Sequence, residues 1–157
     1  MPQVLVGPDR ISTEIDAGAC AYDVVGDKAR QVVVARVNGE VVDLSHPLAD
    51  GDAVEPILIS DPEGLSVLRH SVAHIVAQAT QAIFDDVKLG IGPPIKDGFF
   101  YDFGTTRTFT PDDLATIEKK CVEIINSGQK FSRRVTNREA ARSELSNEPF
   151  KIRLLGA

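Results

Sequence analysis

Between Leu65 and Phe84 the chain runs for twenty residues without a glycine or a proline, and Ser60-Asp61-Pro62-Glu63 just before it carries the marks of a helix start. Ser60 offers an N-cap, Pro62 suits the first turn, and Glu63 stands three residues beyond Ser60, where a capping box needs it. The spacing predicts one long helix, about 30 Å from end to end. At about 100° per residue, Leu65, Leu68, Val72, Ile75, Val76, Ala79 and Ile83 gather on one arc as a core stripe, and His70, His74, Ala77 and Gln81 gather on the opposite arc.

The helix also parts the chain. Residues 1–60 hold ten acidic side chains against four basic ones, whereas residues 61–157 hold thirteen of each, so the net charge of −6 lies wholly in the first segment. That asymmetry predicts two domains, 1–60 and 61–157. Within the second, residues 119–142 carry seven Lys or Arg against Glu123 and Glu139. Such an excess suits phosphates, and it equally suits a solvated helix face.

The first segment reads as strands around a short helix. Val4 to Val6 is closed by Gly7-Pro8-Asp9, and β-branched Val32 to Val37 ends at Asn38-Gly39, a strong hairpin signal, before Glu40-Val41-Val42. Ala49-Asp50-Gly51-Asp52 turns into a last strand from Val54 to Ile59, which Pro56 predicts to be interrupted or at an edge. Ala17 to Val25 has room for about two helical turns. Two strands, a helix, a hairpin and a closing strand make a β-grasp, ubiquitin-like pattern.

After the long helix, Leu89 to Pro94 and Asp97 to Phe103 read as two strands around a turn. Thr110-Pro111-Asp112-Asp113 starts a helix with Leu114, Ile117, Cys121, Ile124 and Ile125 on one stripe, stopped by Gly128. Phe131 to Val135 is expected as a strand, Thr136 with Glu139 as the cap of a short helix to Leu145, and Lys151 to Leu155 as a final strand. The expected class is α+β: a small β-grasp domain, then an α+β domain whose long first helix packs on a sheet.

No charged start leads into an apolar run at the N-terminus, and no stretch of about 18 apolar residues occurs, so neither a secretory signal nor a membrane span is expected. The expectation is a cytoplasmic protein. Cys20 and Cys121 form no Cys-x-x-Cys pair and give no disulfide framework or zinc ribbon.

The chemistry is sought in His70 and His74. Imidazoles four apart on a helix project side by side, which suits a shared metal, or a base and an orienting partner acting on one water. An ordinary helix surface has the same spacing. Small Ala73 and Ala77 beside the pair leave room for a ligand or for a second layer of structure. Two histidines do not complete a zinc site, so no metal is assigned. His46, before Pro47, reads as a turn residue.

A β-grasp segment, His70-Ser71-Val72-Ala73-His74 on a long helix, Leu89-Gly90-Ile91-Gly92-Pro93-Pro94-Ile95, Asp97-Gly98-Phe99-Phe100-Tyr101-Asp102-Phe103 and Asn147-Glu148-Pro149-Phe150-Lys151 follow one another in this chain. The order closely resembles the N-terminal region of the bacterial threonyl-tRNA synthetase family, over essentially the whole chain. The resemblance implies a TGS domain followed by part of an editing domain that hydrolyses serine wrongly joined to threonine tRNA. It implies catalytic roles for His70, His74 and Lys151, and substrate contact for Tyr101 and Asp102. It also implies that a Cys-x-x-x-His segment and a class II aminoacylation core, with its ATP, magnesium and zinc, lie outside these residues, which are expected to bind no cofactor themselves. The implied partner is threonine tRNA, with dimerisation through other domains of the parent and no membrane. On this reading the 157 residues are a fragment with little activity of their own.

Two other readings stay open. TGS domains occur in stringent-response enzymes and some GTPases, so the chain could be a non-catalytic module that binds RNA or a protein, although no Gly-x-x-x-x-Gly-Lys-Ser/Thr loop is present. An alanyl-type editing hydrolase has a similar His-x-x-x-His, but the N-terminal β-grasp weighs against it.

Overall fold

The computed structural model of the chain describes residues 1–25 and 30–156. They form two compact units, Met1–Leu68 and Arg69–Ala157, divided inside the long helix rather than at its start. Mixed helix and sheet in both units makes the class α+β.

The first unit comprises β1 (Gln3–Val6), β2 (Ile11–Glu14), α1 (Ala21–Val24), β3 (Val32–Val37), β4 (Glu40–Val42) and β5 (Ala53–Leu58). The strands make one sheet in the order β2-β1-β5-β3-β4. β1 and β5 run parallel and the other pairs antiparallel, the β-grasp arrangement. Asn38 and Gly39 take φ of +50° and +92°, as a two-residue hairpin turn with the right twist demands. The Asn38 side chain then ties that turn to β5, donating to Asp52 and accepting from the Ala53 amide. Val4, Ile15, Ala21, Ala35, Val37 and Val54 close the core under the sheet.

Three expectations for this unit are corrected. β5 is central in the sheet, not an edge. Pro56 is tolerated there because β1 pairs only as far as Val6 with Val54, so the missing N–H falls beyond the end of β1. α1 is a single turn, because Gly18 at φ +83° keeps any helix from starting earlier. The cap of the long helix, α2 (Pro62–Ile83), is Asp61 rather than Ser60: its carbonyl accepts from Leu65 N, and its carboxylate reaches back to Leu58 N at 2.9 Å. Glu63 makes no capping box and instead pairs with Arg36, which also meets Glu55. Gly64 packs so closely on Leu58 that a Cβ there would lie 2.0 Å from its carbonyl oxygen.

The second unit holds the rest of α2, then β6 (Lys88–Leu89), β7 (Pro94–Ile95), β8 (Gly98–Phe99), β9 (Phe103–Gly104), α3 (Pro111–Asn126), α4 (Arg138–Glu144) and α5 (Pro149–Gly156). The two expected strands are an interrupted hairpin, in which β6 pairs with β9 and β7 with β8. Pro93 and Pro94 remove the donors that a continuous ladder would use, while Gly90 N still donates to Asp102 O and Asp102 N to Ile91 O. α3 begins as read, with Thr110 and Asp113 capping each other, and ends before Gly128 at φ +65°.

Three further expectations fail here. Residues 131–135 make no ladder among the described residues and are exposed. α4 is capped one residue later than read, by the Asn137 side chain on Ala140 N. Lys151 to Leu155 is helical: Pro149 sits in the first turn, Glu148 O accepts from Ile152 N, and a helix satisfies its backbone without the neighbour that a lone strand lacks.

The burial of α2 also differs from the reading. Ala73, Ala77, Ala79 and Thr80 are sealed, and of the predicted stripe only Ala79 is among them, Val72, Ile75, Val76 and Ile83 being half-buried. Ala73 and Ala77 are thus covered by a second layer of structure, one of the two expected uses of their small side chains. On α3 only Ile117 is buried, with Leu114 and Ile125 exposed and Cys121 half-buried. Burial, then Glu118, pushes the Cys121 thiol up. Among the described residues no helix is long and apolar enough to cross a membrane.

Candidate functional site

One α2 face presents His70 and His74 one turn apart, and their Nε2 atoms lie 3.1 Å from each other. The rings meet edge to face at 4.6 Å. In the neutral pair one Nε2 donates and the other accepts. The donor ring therefore keeps a basic Nδ1, and the acceptor ring carries an Nδ1–H. A proton acceptor and a proton donor stand side by side, which is what moving a proton from a water to a leaving oxygen requires.

Burial, then His70, then Lys151 hold His74 below the usual imidazole pKa. Burial disfavours the imidazolium outright and the neighbouring cations repel it, so the ring stays neutral near physiological pH. The aromatic floor comes from the hairpin. Tyr101 lies 6.5 Å from His74 and stacks on Phe103 at 5.0 Å. Gly92 makes the place for it, since a Cβ there would fall 2.1 Å from the ring. The Tyr101 hydroxyl is buried without a hydrogen-bond partner among the described residues. Burial, then Glu148, raises its pKa. Lys151 on α5 brings its Nζ to 6.0 Å from the centre of the same ring.

His70, His74, Tyr101 and Lys151 thus come together. Asp102 does not join them: its side chain is exposed, and its backbone serves the hairpin. His46 stands in the first unit, where its carbonyl accepts from Ala21 N. Among the described residues no group of three His, Cys, Asp or Glu could hold a metal. A cavity of about 60 Å³ opens beside His74 between α2 and α3, lined also by Gln78, Ile124 and Phe131. Its size suits a few waters rather than a nucleotide. Of the basic excess, Lys120 pairs with Glu123 and Arg134 with Glu144.

Sequence reasoning missed one residue at the centre of this arrangement. Glu148 accepts from Gln81 Nε2 at 2.6 Å through one carboxylate oxygen and from Leu89 N at 2.7 Å through the other. Two signals pointed to it: Gln81 shares the histidine arc, and Glu148 stands in the Asn147 to Lys151 segment that carries the resemblance.

Residues 8–57 match the TGS domain family. Beyond them, the chain is similar to the threonine--tRNA ligase of Streptomyces griseus subsp. griseus, 59% identical over 127 residues, 81% of this chain and 19% of that protein. The ligase of Thermobifida fusca is 52% identical over 151 residues, 96% of this chain and 22% of that protein. That of Pseudarthrobacter chlorophenolicus is 48% identical over 154 residues, 98% and 23%. The β-grasp unit is therefore a TGS domain. Over most of its own length the chain is similar to threonine--tRNA ligases, and it spans about a fifth of the length of the curated relatives it matches.

Proposed function

We propose that these residues serve in a threonine--tRNA ligase and that the second unit is the histidine-bearing part of a hydrolytic site, which clears serine mistakenly esterified to threonine tRNA. Serine lacks one methyl of threonine, and a pocket draws only about 1–3 kcal/mol from such a group. A second, hydrolytic sieve supplies the missing discrimination. The observation that carries the reading is the hydrogen-bonded His70–His74 pair, with the Tyr101 ring 6.5 Å from His74 and Lys151 set over that ring.

In the reaction a water oxygen bonds to the serine carbonyl carbon, and the imidazole with the free Nδ1 takes the water proton. The ester C–O bond then breaks, and the ribose oxygen leaves with a proton returned through the pair. Lys151 steadies the charge that develops on the carbonyl oxygen. Tyr101 is assigned to substrate contact; Asp102, exposed, has the weaker support. The 61–157 segment supplies only part of the site. Attachment of threonine, with ATP, magnesium and zinc in a class II core, belongs to other parts of the ligase, as does dimerisation. Threonine tRNA is the partner, and the cytoplasm its compartment. The excess of Lys and Arg between Lys119 and Arg142 meets phosphates with salt-sensitive affinity.

The test is release of labelled serine from mis-serylated threonine tRNA. The 157-residue chain alone should be nearly inactive. In the full-length ligase, His70→Ala or His74→Ala should lower the rate by about 100-fold or more. Unchanged hydrolysis in the double variant would remove the pair from the mechanism and leave the TGS binding module as the better reading.

A further inference from the structure

We infer that Glu148 is the positioning residue of the histidine site, a single carboxylate that clamps α2, which carries His70 and His74, to β6, whose hairpin carries Tyr101, at the start of α5, which carries Lys151. The inference rests on the hydrolytic reading for its function, but its geometry stands apart from it. Gln81, one of the two donors, lies seven residues beyond His74, on the same arc of α2 as both histidines. Leu89 N, the other, belongs to β6, whose next residue, Gly90, donates to Asp102 O beside Tyr101. Glu148 itself opens α5, with its carbonyl accepting from Ile152 N, and Lys151 follows within that first turn.

Both carboxylate oxygens are thus taken by donors from two different elements, and the backbone of the same residue starts a third. A partly buried carboxylate held by two N–H groups is fixed in place, because releasing either donor leaves charge-assisted hydrogen bonding unmet. Gln81 is fixed in turn, since its amide also donates to Val87 O. Glu148 touches none of the atoms proposed to react. Its effect travels through where α5 sets the Lys151 ammonium against Tyr101 and His74. The groups that bear electrostatically on His74 are His70 and Lys151, with Tyr101 on its flank.

The experiment follows the His74 ring by NMR across a pH titration of the 157-residue chain. Lys151→Met should move the midpoint upward, because a nearby cation is gone. Glu148→Ala should give an upward shift of the same size, and the double variant no more than either single one. Glu148→Gln should restore most of the wild-type behaviour, since its amide oxygen still accepts from Leu89 N. A folded Glu148→Ala chain whose His74 titrates as wild type, or whose shift adds to that of Lys151→Met, overturns the inference. Where the alanine variant does not fold, Gln81→Met carries the test: a shift in the same direction supports the clamp, and an unshifted His74 overturns it. In the full-length ligase, Glu148→Ala should lower kcat for serine release on the order of 100-fold with KM little changed. If the NMR shifts coincide while the double variant His70→Ala with His74→Ala leaves serine release by the full-length ligase untouched, the editing reading fails and the clamp stands.

Discussion

The two units bury themselves to different degrees. Of the sixteen buried hydrophobic residues among those described, eleven lie in the first 68, and the longer second unit has the remaining five. Conversely, the second unit exposes Leu114, Ile125, Phe131, Val135 and Leu154, each more than half accessible. A sheet with its helix on one face completes its own core. The second unit is a set of helices and short ladders tied at points, among them the Glu148 carboxylate and the bonds from Arg69 to Ile95 O and Lys96 O.

Substitutions sharpen the contrast. The largest effect on stability should come from Gly64→Ala in the first unit, whose new Cβ meets backbone that cannot turn aside; a loss of about 3 kcal/mol is expected in urea unfolding. Val54→Ala, at 1% exposure in the core, should cost about 2 kcal/mol. A result below half of that would show the first core to be looser than its burial implies. Gly92→Ala should leave global stability closer to wild type, because a ring can swing away. It should instead displace Tyr101, read as lost NOEs between Tyr101 and His74.

Acid should separate the units as well. The folded pKa of His74 lies below its ordinary 6.5, so the unfolded chain takes up that proton first as pH falls. The His74 contribution to the second unit's stability is therefore lost from about pH 6.5 down to the lowered value, and no further below it. His74→Leu should abolish this part of the loss, measured by amide exchange at mildly acidic pH. In the first unit Asp23, bonded by Cys20, and Asp43, bonded by Ser45, are held below their ordinary 3.8. Their contribution is present above that value and disappears only as pH falls through the lowered ones. The smallest effect belongs to Leu114→Ser, which should change stability by less than about 0.5 kcal/mol. A larger loss would mean that the α3 stripe is covered in solution.

The same contrast governs what the amino acids disclosed. Asn38-Gly39, the gap in Gly and Pro after Leu65 and the Thr110 to Asp113 cap are local devices, and each is legible because its partners lie within a few residues. His70 and His74 were legible for that reason too. The conformation of Lys151 to Leu155 was not, since five residues of alternating character fit a strand as well as a helix. What decides it is Glu148, whose bond to Gln81 spans 67 residues. Pro56 misled for a similar reason: its neighbour on the β1 side, 50 residues earlier in the chain, simply ends too soon.

The sheet order has a consequence for how the first unit comes into being. β1 with β2 and β3 with β4 are two separate hairpins, and only β5 lies between them. A two-stranded ribbon is marginal in water by itself. During synthesis, then, the first fifty residues are two unsupported loops of chain. The domain appears at one moment, when the stretch from Ala53 to Leu58 clears the ribosome and slides between them. An arrest before that point leaves this domain open to a protease, and one just after leaves it closed with the long helix already begun.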